Sequence, residues 1–204
     1  MGCHPLPPGD LSAVKASSSP KHAGTVYLVR GWRDLYSSGI DQLAEELRDA
    51  GLAAHVYREA QWRELADSLA RAYGKAQNHG PLILIGFSFG ADDVIRISCQ
   101  LQHDKIPVDL LIAVDPVTPP PVTKNVRVCY DYFQTNGFWD VFPWFRGVPL
   151  QSDGANALTN VDLRRARPDL VEPNTAHSNI AANPKLHREI VRRVLEACNM
   201  RGRT

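Results

Sequence analysis

Gly86-Phe87-Ser88-Phe89-Gly90 sets a serine between two glycines at G-x-S-x-G spacing, directly after the apolar run Leu82-Ile83-Leu84-Ile85. A serine hydroxyl is a weak nucleophile until an imidazole takes its proton and a carboxylate holds that imidazole in place. The spacing suits a sharp strand-to-helix turn that lifts the hydroxyl clear of a sheet edge. A helix following the turn would set its N-terminal dipole beneath negative charge developing at the serine. The same residues do not read as a phosphate loop, because no Gly-Lys-Ser/Thr follows and the pattern does not extend to G-x-G-x-x-G. Asp92 and Asp93 fall in the first turn of that helix, where acids complement the dipole.

Three histidines follow Ser88 in the chain: His103, His177 and His187. His103 ends the helix expected after the turn, on the wrong side of the sheet. His187 lies inside the closing helix, on what reads as its exposed polar face. His177, in the loop Asn174-Thr175-Ala176-His177-Ser178 before that helix, is the expected general base. Two acids compete for the third place. Asp115 ends the strand Leu110 to Val114 and precedes Pro116, so its carboxylate would point into the crevice where ligands of open α/β sheets bind. Asp131, within Tyr130-Asp131-Tyr132, is the rival; the cleaner strand end favours Asp115. For an oxyanion, the backbone amides of Phe89 and of Trp32, in Arg30-Gly31-Trp32, are the candidate donors.

Positioning these groups requires alternating strands and helices, and the pattern supplies them. Strands are predicted at 25–29, 54–57, 82–85, 108–114, 126–132 and 158–163. Helical stripes run through Ile40, Leu43, Ala44 and Leu47, through Trp62 to Tyr73, through 91–101, and after the Asn183-Pro184 cap. Continuous apolar strands between amphipathic helices predict an α/β fold: a single-domain, three-layer α/β/α sandwich with a mostly parallel sheet.

The composition limits what else the chain can be. Its 204 residues, 44% hydrophobic, fit one domain, and 23 basic against 22 acidic residues leave a net charge of +1. That balance gives no basic face for nucleic acid. No apolar run reaches the roughly 18 residues of a membrane-spanning helix. Cys3, Cys99, Cys129 and Cys198 lack the paired spacing of a disulfide framework or zinc site, and no H-E-x-x-H is present, so no metal and no cofactor is expected. Residues 1–24, rich in Pro and Ser, read as a disordered leader, with the folded domain over 25–200. The chain as given suits a soluble, cytoplasmic protein. Cys3 before a Pro/Ser-rich tether would instead anchor an envelope lipoprotein if a signal peptide had been removed.

The Gly86 to Asp92 stretch, the Val114-Asp115-Pro116 strand end and His177 together resemble the α/β-hydrolase superfamily, in particular its small bacterial lipase- or thioesterase-like members. The resemblance spans Thr25 to about Cys198. It implies hydrolysis of a carboxylic ester or thioester through an acyl-enzyme on a Ser-Asp-His triad, and it puts the acid more commonly where Asp131 stands. Two departures stand out: the first two strands usual in the superfamily are absent, and no insertion is long enough for a lid domain. Phe138 and Trp139, in an aromatic run ending at Phe145, could line an acyl pocket or plug the sheet, with Trp32 and Tyr36 as the opposite wall. Arg164, Arg165 and Arg167 read as a solvated face. The expected partner is a small-molecule ester or thioester with an apolar acyl group. Acyl transfer, peptide cleavage and non-catalytic binding at an envelope stay open as alternatives.

Overall fold

The computed structural model describes residues 6–16, 24–34, 38–76, 79–135, 147–154, 157–172 and 174–201. In chain order the elements are β1 (Thr25–Val29), α1 (Ser38–Asp49), β2 (Ala53–Tyr57), α2 (Trp62–Tyr73), β3 (Leu82–Phe87), α3 (Phe89–His103), β4 (Val108–Val114), β5 (Val126–Phe133), β6 (Ala157–Asp162), α4 (Leu163–Ala166) and α5 (Pro184–Arg201). The strands form one parallel sheet in the order β2-β1-β3-β4-β5-β6.

Side chains alternate across this sheet and build a core on each face. Val26, Leu28, Ile83, Ile85, Leu110 and Ile112 pack with α1 and α5. Tyr27, Val29, Leu84, Leu111, Ala113 and Cys129 pack with α2 and α3. Strands β1, β3 and β4 are buried along their whole length. That two-sided burial is why they read as unbroken apolar runs. The chain builds β2 on one side of β1, then returns to build β3 on the other. The order therefore reverses between β1 and β3, and it is outside the carboxyl ends at such a switch point that open α/β sheets bind their ligands.

The closing helix starts as its sequence predicts: Asn183 Oδ1 accepts from the amides of Lys185 and Leu186 at 2.9 and 3.3 Å. His187 departs from its expected exposure. It is buried, with Nε2 2.6 Å from the Ala181 carbonyl and Nδ1 3.2 Å from Glu46 Oε1. Helix α1 packs across α5 and covers what looked like a solvent face.

Of the leader, residues 6–16 lie against the domain. Gly9 donates its amide to the Val56 carbonyl at 2.6 Å, along the outer edge of β2. Leu6 accepts from Arg30 Nη2 at 2.5 Å and donates to Asp41 Oδ2 at 3.2 Å. Arg30 and Asp41 are themselves a buried pair, with Nε and Nη2 3.0 and 2.8 Å from Oδ1. Leu6 thus adds a hydrogen bond to each member of a buried ion pair, the kind of satisfaction that burying charge requires.

Helix α3 buries two carboxylates in its first turn. Asp93 holds Arg96 Nη1 at 2.6 Å through Oδ1, while its Oδ2 has no hydrogen-bond partner among the described residues. Burial pushes its pKa from 3.8 up to about 6. Below pH 3.8 the carboxyl is protonated in folded and unfolded chains alike. Between 3.8 and about 6 only the folded chain keeps the proton, so stability falls as pH rises, by at most about 3 kcal/mol. Asp93→Asn should therefore gain stability relative to the wild type as pH rises from 4 to 7. Urea denaturation at both pH values measures this; a constant difference would mean that the carboxyl titrates normally.

Candidate active site

At the carboxyl end of β3 the chain turns into α3 on one residue. Ser88 holds φ 56° and ψ −126°. Such a conformation costs a residue with a side chain on the order of 1–3 kcal/mol, and it persists only where the surroundings impose it. Here the Ser88 amide donates to the Val114 carbonyl at 2.9 Å, and the Ser88 carbonyl accepts from the amides of Ala91 and Asp92 at 2.9 and 3.3 Å. The two glycines admit the backbone. A Cβ on Gly86 would lie 2.1 Å from the Gly90 carbonyl oxygen, and one on Gly90 would lie 2.3 Å from that of Arg30. Helix α3 therefore starts hard against the end of β1.

Asp115 leaves β4 in a second left-handed turn, φ 52°, and is fully buried. Its amide donates to the Tyr132 carbonyl at 2.9 Å. Oδ1 accepts from the Gln134 amide at 3.0 Å, and Oδ2 lies 2.9 Å from His177 Nδ1 and 3.4 Å from Gln134 Nε2. Gly147 passes directly over this carboxylate, so closely that a Cβ there would come within 2.3 Å of Oδ1.

His177 sits in a cross-braced turn. The Ala176 amide donates to Asn179 Oδ1 at 2.7 Å, Asn179 Nδ2 donates to the Asn174 carbonyl at 3.0 Å, and Arg164 Nη2 donates to the Thr175 carbonyl at 2.7 Å. The imidazole faces the Phe87 ring at 5.4 Å, and its Nε2 is 2.9 Å from Ser88 Oγ. With a carboxylate at Nδ1, the proton of the neutral ring belongs on that nitrogen, which leaves the Nε2 lone pair facing the serine hydroxyl.

The structure thus brings Ser88, His177 and Asp115 into one hydrogen-bonded line. Asp131 lies beside it without joining. Its Oδ2 accepts from the Leu150 amide at 3.1 Å, and its Oδ1 has no hydrogen-bond partner among the described residues. Burial, with the charge of Asp115 as a further cause, pushes its pKa well above the usual carboxylate range. Phe89 opens α3, and Trp32 opens a single 3₁₀ turn after β1. Trp32 is the one large apolar side chain left exposed among the described residues, with the Arg33 guanidinium 5.0 Å from its ring centre. Tyr36, Phe138 and Trp139 lie outside the described residues.

The sequence pattern gives three contributors to this site no part in it. Gln134 follows β5, and with Val114 paired to Tyr132 it falls where it can reach across to Asp115. Strand register would have found it. Arg164 read as part of a solvated basic face but braces the His177 turn, while Arg165 and Arg167 pair with Asp162 and Asp169. Gly147 sits in a loop with no local pattern to mark it.

No family model and no curated protein sequence matches the chain. The likeness to solved structures is one of fold. The NocB thioesterase domain from the Nocardicin cluster superposes with a TM-score of 0.51 at 15% identity, over 85% of this chain and 94% of its own. A cutinase-like protein from Cryptococcus sp. gives 0.50 at 12% identity, over 91% and 98%. The histone deacetylase Clr3 gives 0.50 at 10% identity over 89% of this chain but 33% of its own. The chain has the α/β-hydrolase fold, reduced to a six-stranded parallel sheet between helical layers. That scaffold hosts many reactions, so the chemistry must be argued from the site.

The close approaches make a direct test of the architecture. Gly90→Ala should destabilise the fold by roughly 1–3 kcal/mol or more, because the added methyl meets the backbone carbonyls of Val29 and Arg30. Gly147→Ala should shift the Asp115 carboxylate. Denaturation midpoints check the first, and the His177 ring resonances in NMR check the second. A Gly90→Ala variant of unchanged stability would mean that α3 can move away from β1.

Proposed function

We propose that the protein is a serine hydrolase cleaving a carboxylic ester or thioester through an acyl-enzyme. Ser88 is the nucleophile, His177 the general base and acid, and Asp115 the carboxylate that orients the ring. The observation that carries this reading is the unbroken line from Ser88 Oγ to His177 Nε2 and from Nδ1 to Asp115, both contacts 2.9 Å. The thioesterase and cutinase-like proteins that share the scaffold fit the same reaction class.

In the first step Ser88 Oγ attacks the substrate carbonyl carbon while its proton passes to His177 Nε2. Asp115 holds the imidazolium that forms. The carbonyl oxygen becomes an oxyanion, assigned to the amides of Phe89 and Trp32. The packing of Gly90 against the Arg30 carbonyl, which keeps the start of α3 beside the loop after β1, supports that pairing. Collapse expels the alkoxide or thiolate, which takes the proton from His177. Water, deprotonated by the same ring, then releases the acid and frees Ser88. The exposed indole of Trp32 supports an apolar acyl group as the part recognised.

The test is labelling by a fluorophosphonate probe, followed by turnover of p-nitrophenyl esters of graded chain length. Wild type should label and turn over; Ser88→Ala should lose both. His177→Ala and Asp115→Asn should fall by roughly 10²–10⁴-fold. Asp131→Asn should label near the wild-type rate, which separates the two acids. A folded wild type that fails to label would overturn the hydrolase reading. Loss of labelling in Asp131→Asn but not Asp115→Asn would move the acid to the next strand.

A further inference from the structure

Asp92, four residues after Ser88, reads from sequence as one more acid complementing the α3 dipole. Its side chain does something else. It is fully buried and turns away from the helix to the loop that follows Asp115. Oδ1 accepts from the Val117 amide at 3.0 Å; Oδ2 accepts from the Thr118 amide at 2.9 Å and from Thr118 Oγ1 at 3.1 Å. At the same time its own amide donates to the Ser88 carbonyl at 3.3 Å. One residue therefore holds the backbone of the nucleophile and the loop of the acid.

We propose that Asp92 is a positioning residue that locks the Asp115 turn to the Ser88 turn and so sets the spacing across which His177 works. The inference rests on the hydrolase reading above. Its physical basis is the strain in both turns. Asp115 has φ 52°, and a left-handed residue with a side chain relaxes unless it is held on both flanks. On its N-terminal side, the bond from its amide to the Tyr132 carbonyl holds it. On its C-terminal side, the Pro116 carbonyl accepts from the Val148 amide at 2.9 Å, and Asp92 takes both amides that come next.

A carboxylate suits that task. Two parallel backbone amides need two acceptors, which an ionised or singly protonated carboxyl supplies and a carboxamide cannot. Burying it carries a desolvation cost, and burial does raise the Asp92 pKa. A dipole-complementing acid would remain at the surface, where no such cost arises.

The experiment compares Asp92→Asn and Thr118→Val with wild type. Three readouts are used: fluorophosphonate labelling rate, the kcat and KM for a p-nitrophenyl ester, and the low-field proton resonance of His177 Nδ1–H against Asp115. Asp92→Asn sets an amide –NH₂ against a backbone N–H. It should lower kcat and labelling by about 10–100-fold with KM within about twofold, and move or broaden the low-field resonance. Thr118→Val removes one bond of the three at nearly constant shape, so a folded protein is expected, with a smaller loss in the same direction. A purely structural Asp92 would lower the denaturation midpoint and leave the labelling rate per folded molecule and the resonance unchanged. That result, with wild type labelling normally, overturns the proposal and spares the triad. A wild type that does not label overturns both.

Discussion

The distance between Gly90 and the end of β1 governs the rest of this molecule. No Cβ fits on Gly90, because the carbonyl oxygens of Val29 and Arg30 would stand 2.4 and 2.3 Å from it. Helix α3 can begin there only by touching the backbone of the neighbouring strand. Once it does, Ser88 has no choice but the turn it makes, and the loop leaving β1 is held beside the start of α3. Backbone contact of this kind cannot be relieved by rotating a side chain. It therefore transmits position more stiffly than ordinary packing does.

The strain created by that contact is confined and compensated. Among the described residues, Arg33, Ser88, Lys105 and Asp115 are the non-glycine residues with left-handed backbones. Lys105 ends a helix, but the other three follow β1, β3 and β4, at the carboxyl ends of adjacent strands where the strand order reverses. Each strand therefore ends in an abrupt turn instead of fraying into a loop. Buried polar bonds hold those turns: Arg30 with Asp41 and Leu6 behind β1, Asp92 with Val117 and Thr118 behind β4, and Gln134 on Asp115 itself. Strained backbone at several adjoining strand ends is a pattern of functional sites, because a purely structural fold has nothing to gain from it.

Most of this architecture was legible in the chain because it depends on short-range rules. Burial on both faces makes β1, β3 and β4 continuous apolar runs, Asn183-Pro184 marks the start of α5, and the two glycines mark the turn at Ser88. The contributions that sequence left hidden all depend on partners distant in the chain. Asp92 looks like a dipole residue until β4 delivers its loop 25 residues later. His187 looks exposed until α1 covers it, and Arg164 looks solvated until the His177 turn comes back over it. In each case the local pattern states which atoms need partners, and only the register of the sheet states which partners arrive.

The choice between the two acids turns on the same register. Asp115 and Asp131 stand near the carboxyl ends of adjacent parallel strands, close enough for the charge of one to raise the pKa of the other. Two buried carboxylates in that relation repel when both are charged, and their hydrogen-bond donors distinguish them. Asp115 receives the Gln134 amide and the imidazole N–H, with the Gln134 carboxamide at longer range. Among the described residues Asp131 receives the Leu150 amide alone, and that donor is shared with Asn160 Oδ1 at 3.0 Å. Asp131, with fewer donors, is the acid on which charge is disfavoured, by burial first and by the charge of Asp115 as a further cause. A second carboxyl at the commoner position does not make this site ambiguous. On the reading proposed above, the acid best supplied with donors is the one that meets the imidazole.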